Sequence, residues 1–311
     1  MSWEQQYNLI SDDFFKGRIY ALAKMITLVE NHPDSAWKII ETLKKNTSGD
    51  TPTIGFTGSP GAGKSTLVSA YVSMMVAKNQ KIGVIAVDPS SPFTMGAFLG
   101  DRIRMRDISE SESVYIRSVA SRGSVGGLCD AIYDIVDVMK AFGFDKIIIE
   151  TVGAGQSEIE IVYVADTVLL VMSPDSGDEI QMFKAGIMEI ADGYVVNKID
   201  LPQANAFSVK LRNTLALEND VKSKRKVFEV SASKNLGVDE LEKWIDQFYS
   251  EISSNGEIFK RHERRLKRRV RSNLMRVMDN IISSQEVGKN SLSEFKNIII
   301  KKYIQQEACD D

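Results

Sequence analysis

The chain has 311 residues, enough to bury a sizeable core as one large α/β domain or as one domain with extensions. Hydrophobic residues make up 43% and charged residues 26%, which excludes a disordered or fibrous chain on composition. A net charge of −3 gives no global attraction for nucleic acid or an anionic membrane, and two distant cysteines, Cys129 and Cys309, support neither a disulfide framework nor a cysteine metal centre.

Residues 1–49 carry helical spacing and no strand pattern. Phe14, Phe15, Ile19, Leu22, Met25, Ile26 and Val29 recur at every third or fourth position, which predicts a helix ending at His32-Pro33-Asp34. Ala36, Ile39, Ile40 and Leu43 predict another, and Ser48-Gly49-Asp50-Thr51-Pro52 then marks a boundary. Residues 1–49 therefore read as an N-terminal helical extension. The first residues lack the basic-then-apolar pattern of a secretory leader and the arginine-rich character of an organelle presequence. No apolar run is long enough to span a bilayer, so a cytoplasmic protein without a membrane partner is expected.

Thr53-Ile54-Gly55-Phe56 reads as a strand, and Leu67 to Val72 suits a helix. Between them stands Gly58-Ser59-Pro60-Gly61-Ala62-Gly63-Lys64-Ser65-Thr66, with the strand, glycine turn, lysine and hydroxyl that a phosphate-binding P-loop requires. Its glycines let backbone N–H groups curl around an anion at the positive end of a helix dipole. Lys64 is the candidate for reaching the β- and γ-phosphates, and the Ser65 hydroxyl for ligating Mg²⁺.

From residue 50 to 250, apolar runs alternate with helical patterns. Strands are predicted at Ile82 to Val87, Val114 to Val119, Ile147 to Ile149, Thr167 to Met172, Gly193 to Val196 and Lys226 to Val230. Continuous apolar strands separated by helices imply an α/β fold, a P-loop NTPase with a mostly parallel, doubly wound sheet. Ligands in such sheets gather at the carboxyl ends of the strands, where each motif begins.

The base is addressed by Asn197-Lys198-Ile199-Asp200, directly after an apolar strand. Asp200 can accept from the guanine N1–H and exocyclic amine, a donor pair that adenine does not present. Asn197 would brace the loop, and the Lys198 stem would pack over the ring. Ser231-Ala232-Ser233, at the end of a later strand, has the form of a backbone contact to guanine O6. GTP and GDP are thus the expected nucleotides.

A γ-phosphate sensor is expected after the Ile147 strand, where the chain reads Glu150-Thr151-Val152-Gly153. Glu150 can hold Mg²⁺ through its water shell, and the Gly153 N–H can meet the γ-phosphate. Ala154 stands where a catalytic glutamine commonly follows, leaving Gln156 as the candidate for orienting water. Poorly positioned water would make hydrolysis slow until a partner completes the site. Asp88 and Asp101, flanking a distinctive segment, are further candidates for Mg²⁺ ligation, Asp101 also for catalysis. Arg102, Arg104 or Arg106 can neutralise charge in the transition state or serve as salt-bridged helix surface.

Beyond residue 251 the strand pattern stops. Phe259 to Arg271 is basic and helical and continues through Leu274, Val277, Met278 and Ile281; a last helix follows over about Leu292 to Ile304. This face is read as solvated or partner-contacting rather than as a nucleic-acid site.

Asp88-Pro89-Ser90-Ser91-Pro92-Phe93-Thr94, Leu99-Gly100-Asp101-Arg102-Ile103-Arg104-Met105 and Glu150-Thr151-Val152-Gly153-Ala154-Gly155-Gln156-Ser157-Glu158 resemble the MeaB/ArgK GTPases, as do Asp178-Glu179-Ile180-Gln181, 184–192 and the 197–200 motif. The resemblance implies a Mg²⁺-dependent GTPase that chaperones an adenosylcobalamin-dependent acyl-CoA mutase, typically methylmalonyl-CoA mutase. It implies a homodimer with a C-terminal helical dimerisation arm over 251–311, Mg²⁺-linked positions at Ser65, Asp88, Asp101 and Glu150, and a signalling segment over 173–184. An older reading of the family, a kinase tied to amino-acid transport, leaves the 197–200 motif without a role. A metal-insertion GTPase would need a Cys/His cluster, whereas His32, His262, Cys129 and Cys309 are scattered.

Overall fold

The predicted apolar runs become seven strands: β1 (Thr53–Thr57), β2 (Ile82–Asp88), β3 (Val114–Ala120), β4 (Lys146–Glu150), β5 (Thr167–Met172), β6 (Gly193–Val196) and β7 (Lys226–Glu229). They come from a computed structural model that describes residues 1–45, 50–88, 111–120, 131–151, 157–175, 187–217, 225–285 and 292–310, with side chains for all of these except 88, 120, 157, 158, 187, 217, 292 and 304–310. Every pairing is parallel, in the order β3-β2-β4-β1-β5-β6-β7. Such a sheet must be covered on both faces, which explains why β1, β4, β5 and β6 are buried along their whole length.

Helices α1 (Trp3–Phe15), α2 (Ile19–Asn31), α3 (Ala36–Lys44), α4 (Lys64–Ala77) and α5 (Ala131–Phe142) are followed by the short α6 (Ser157–Glu160) and α7 (Ile187–Ile190). Then come α8 (Ala204–Leu217), α9 (Val238–Ser254), α10 (Glu257–Ser283) and α11 (Leu292–Asp310). Leu22, Met25 and Ile26 of α2 and Ile39 and Leu43 of α3 share one core with Ile132 and Met139 of α5 and with Ile147 and Ile149 of β4. The opposite face of the sheet packs Leu67, Tyr71 and Met75 of α4 and Leu241 and Ile245 of α9 against Ile54, Phe56, Val84 and Ile148. The N-terminal helices are therefore part of the same compact unit as the sheet, Met1–Phe259.

The helix expected to run through Phe14 and Phe15 into Val29 is two helices. Lys16 ends α1, and Gly17 at φ +75° turns the chain before α2. A left-handed glycine costs nothing sterically and stops the i→i−4 ladder, so an unbroken apolar period crosses a real break.

Aspartates just before β4, β5 and β6 cap the sheet at the edge away from the P-loop. Asp145 accepts the Lys81 N–H at 2.7 Å, Asp166 the Thr53 N–H at 2.9 Å and Asp192 the Val168 N–H at 2.9 Å. For the buried Thr53, this pairing satisfies a strand-entry donor that burial would otherwise leave unpaired. At the same edge the buried Lys146 ammonium donates to Asp246 of α9 and lies 3.4 Å from the Tyr71 hydroxyl of α4. Burial, more than the nearby carboxylates, pushes the Tyr71 phenol well above its ordinary range.

Residues Lys260–Asp311 form a second unit. Within it, Val277 and Ile281 of α10 and Ile299 of α11 are buried together, with Met278, Phe295 and Tyr303 packed around them. Leu266, Val270, Leu274 and Met275 remain exposed on α10. The strong basic run is helical as expected, and it includes the pair Lys267–Glu263 at 2.6 Å.

Candidate functional site

The phosphate loop is built around backbone geometry that only glycine adopts without strain. Gly58 has φ +138°, and a Cβ there would stand 2.0 Å from the Val171 carbonyl oxygen of the adjacent strand β5. Gly63 has φ +83°, and a Cβ would meet the Asn197 Nδ2 at 2.4 Å. Helix α4 starts at Lys64, immediately after this turn, so its first unpaired N–H groups open onto the loop. The Lys64 ammonium, largely buried, donates to the Gly58 carbonyl at 2.7 Å and the Ser59 carbonyl at 3.0 Å.

Strand register brings the carboxylate to the loop. Phe56, two residues before Gly58, pairs with Glu150 across β1 and β4. The Ser65 hydroxyl consequently donates to Glu150 Oε1 at 2.5 Å. Thr151 extends the pairing beyond the strand, its N–H donating to the Phe56 carbonyl at 3.0 Å and its hydroxyl to Thr57 Oγ1 at 3.1 Å. A hydroxyl and a carboxylate in contact form an oxygen donor set of the kind hard divalent cations prefer, and Mg²⁺ fits it on those grounds. The Ser59 hydroxyl is buried with no hydrogen-bond partner among the described residues, a second sign that the loop is shaped for a polar ligand.

The residues expected to read the base converge on the same edge. Asn197 is buried and donates its amide to the Ala62 carbonyl at 3.0 Å and the Gly63 carbonyl at 3.3 Å. Its Oδ1 accepts the Lys198 N–H at 2.9 Å and the Ala232 N–H at 3.1 Å. Within the 231–233 stretch, whose backbone is expected to meet guanine O6, the Ala232 N–H is thus bonded to Asn197. Lys198 occupies left-handed backbone at φ +60°, and its Cε lies 4.0 Å from where a Cβ on Gly63 would stand. Asp200 accepts the Ser231 hydroxyl at 2.7 Å and lies 3.6 Å from the Lys234 ammonium. The Ser231 hydroxyl is the chief reason the Asp200 carboxyl is held below the ordinary carboxylate range, with Lys234 adding to it. Ser233 stands beside Ser231, their hydroxyls 3.5 Å apart.

The strand ends therefore bring together residues 58–66, Glu150, Asn197, Lys198, Asp200, Ser231, Ala232 and Ser233. Asp88 closes β2, whose Ala86 pairs with Glu150 of β4, but its side chain lies outside the described residues. Asp101, Arg102, Arg104, Arg106, Gly153, Ala154, Gln156, Cys129 and the stretch 176–184 also lie outside them. Sequence reasoning gave no individual role to Ser173, Asp175 or Lys234. Lys198 donates to both oxygens of Asp175, at 2.9 and 3.2 Å, and Ser173 donates to the same carboxylate. The available signal was positional: all three follow strands at the edge where ligands gather.

Residues 22–290 match the family described as Methylmalonyl Co-A mutase-associated GTPase MeaB. The chain belongs to the MeaB family of GTPases. Among relatives of this MeaB-family chain, a GTPase homologue from Pyrococcus abyssi is 41% identical over 288 residues, covering 91% of this chain and 87% of its own. GTPase ArgK from Escherichia coli is 33% identical over 252 residues, 78% of this chain and 76% of its own. The methylmalonic aciduria type A homolog of Mus musculus, a mitochondrial protein, is 32% identical over 262 residues, 78% of this chain and 63% of its own. A crystal structure of a LAO/AO transport system kinase superposes with a TM-score of 0.70, 24% identity and 97% and 98% of the two chains covered, a likeness of fold. The MeaB-family chain is accordingly a guanine-nucleotide-binding P-loop GTPase. No helix among its described residues is long and apolar enough to cross a membrane.

Proposed function

We propose that this chain is a Mg²⁺-dependent GTP switch that chaperones an adenosylcobalamin-dependent acyl-CoA mutase, gating its cofactor loading and protecting it. The observation that carries the nucleotide part is the contact between Ser65 and Glu150 at 2.5 Å beside a glycine-walled loop. Membership of a mutase-associated family supports the choice of client.

In this reading the 58–66 backbone and Lys64 bind the phosphates, and the ammonium exchanges its bonds to the Gly58 and Ser59 carbonyls for phosphate oxygens. Asn197 holds the base loop against the phosphate loop, and Asp200, kept ionised, accepts from the two guanine donors. Ser65 and Glu150, with Asp88 and Asp101 as further candidates, would hold Mg²⁺. The ion would neutralise charge on the β- and γ-phosphates. Gly153 and Gln156 are the proposed γ-phosphate and water contacts, so hydrolysis alone should be slow. Residues 251–311 are proposed as a homodimerisation arm, on the exposed apolar row Leu266, Val270 and Leu274 of α10. The proposed setting is the cytoplasm.

The test is to purify the GTP-loaded chain with a methylmalonyl-CoA mutase from the same source. Co-elution together with an accelerated GTP turnover supports the reading. GTP turnover that the mutase leaves unchanged, without co-elution, removes the client assignment.

A further inference from the structure

The nucleotide reading makes no use of the contact between Lys198 and Asp175. These residues leave neighbouring strands: the Asn197 N–H donates to the Met172 carbonyl at 2.8 Å, tying the ends of β6 and β5 together. Three residues beyond Met172, the Asp175 carboxylate receives the Lys198 ammonium on both oxygens, at 2.9 and 3.2 Å. The fully buried Ser173 donates its hydroxyl to Oδ1 of the same carboxylate. On the other side of Lys198, its Cε lies 4.0 Å from where a Cβ on Gly63 would stand. The lysine stem therefore bridges from the P-loop to the end of β5.

We propose that Asp175, oriented by Ser173, is a positioning residue for guanine recognition, holding the Lys198 ammonium so that the lysine stem is ready to cover the base. The inference rests on the reading of residues 197–200 as the guanine-binding motif. A lone exposed ion pair contributes little, because two flexible side chains must be ordered to make it. Here the ordering is shared. The Lys198 backbone is fixed in the left-handed region and bonded to Asn197 Oδ1, and Ser173 is anchored at the end of a buried strand. A lysine stem that is already placed loses less conformational freedom when the base arrives. The Ser173 hydroxyl first, and Lys198 after it, hold the Asp175 carboxyl below its ordinary range, so the anchor stays charged at neutral pH.

The experiment is a double-mutant cycle on the full chain, with GDP and GTP affinity measured by calorimetry and turnover measured in parallel. Asp175→Asn, which keeps shape and removes charge, is expected to weaken GDP and GTP alike by about three- to five-fold at low ionic strength, with the loss shrinking in high salt. KM for GTP should rise while kcat at saturation stays unchanged, since the effect is on binding common to ground and transition states. Lys198→Met should weaken binding further, and adding Asp175→Asn to it should change nothing more. Additive losses, or unaltered GDP affinity in Asp175→Asn, overturn the proposal. A wild-type chain that binds neither GDP nor GTP would instead overturn the nucleotide reading beneath it.

Discussion

Asn197 donates its buried side-chain amide to the Ala62 carbonyl at 3.0 Å, so the base loop and the phosphate loop form one hydrogen-bonded unit. The same side chain also receives the N–H groups of Lys198 and Ala232, which makes it the joint between three loops from different parts of the chain.

Replacing that joint should harm both folding and binding. Asn197→Ala leaves the Ala62 carbonyl and the Ala232 N–H without their partner in a buried place, a cost of about 2–3 kcal/mol in stability. Chemical denaturation of the nucleotide-free protein measures this term. GTP titration of the same variant should show a loss larger than the stability change explains, because both loops lose register.

Lys64→Ala should separate binding from folding. The bonds that Lys64 makes to the Gly58 and Ser59 carbonyls stay within its own loop and tie it to no other strand or helix. The melting temperature should therefore move little, while GTP affinity falls by about two orders of magnitude or more through loss of charge-assisted phosphate bonds. Tight GTP binding by this variant would count against the P-loop assignment.

In the proposed reading Asp200 sets base choice and adds no acid sensitivity near neutral pH. Its carboxylate would accept from two guanine donors; Asp200→Asn replaces an acceptor by a donor, and xanthine offers an oxygen where guanine has its amine. The variant should lose GTP affinity by about ten-fold or more and gain affinity for xanthosine triphosphate. Because the folded carboxyl lies below the ordinary value of about 4, its contribution is fully present above that value and disappears as pH falls through the lower, folded one. GTP affinity measured from pH 8 down to about 5 should thus show no step from this group.

Lys146 gives the contrasting case, a charged group remote from the site. Its ammonium joins β4 to Asp246 of α9 and Tyr71 of α4, and Glu242, largely buried, lies 3.9 Å away. Lys146→Ala takes the cation from the half-exposed Asp246 and from Tyr71, while Glu242 keeps Lys78 at 2.8 Å, and a loss of about 2 kcal/mol in unfolding free energy is expected. GTP affinity of the folded fraction should be unchanged, as seen by titration well below the unfolding transition.

Sequence alone determined the seven strands, because a parallel sheet covered on both faces demands continuous apolar runs such as Ile147-Ile148-Ile149. It also located the phosphate loop and the base motif, because glycine freedom, lysine reach and a following helix are set by residues adjacent in the chain. The break at Gly17 was hidden, since the apolar period of α1 continues into α2 through the turn. Only tertiary structure decided which strand stands beside β1, and therefore that Ser65 meets Glu150 and that Gly63 must be bare to admit Asn197. It alone joined Asp175 to Lys198. Those contacts link residues 23 to 134 positions apart, and nothing in local propensity encodes a distance of that kind.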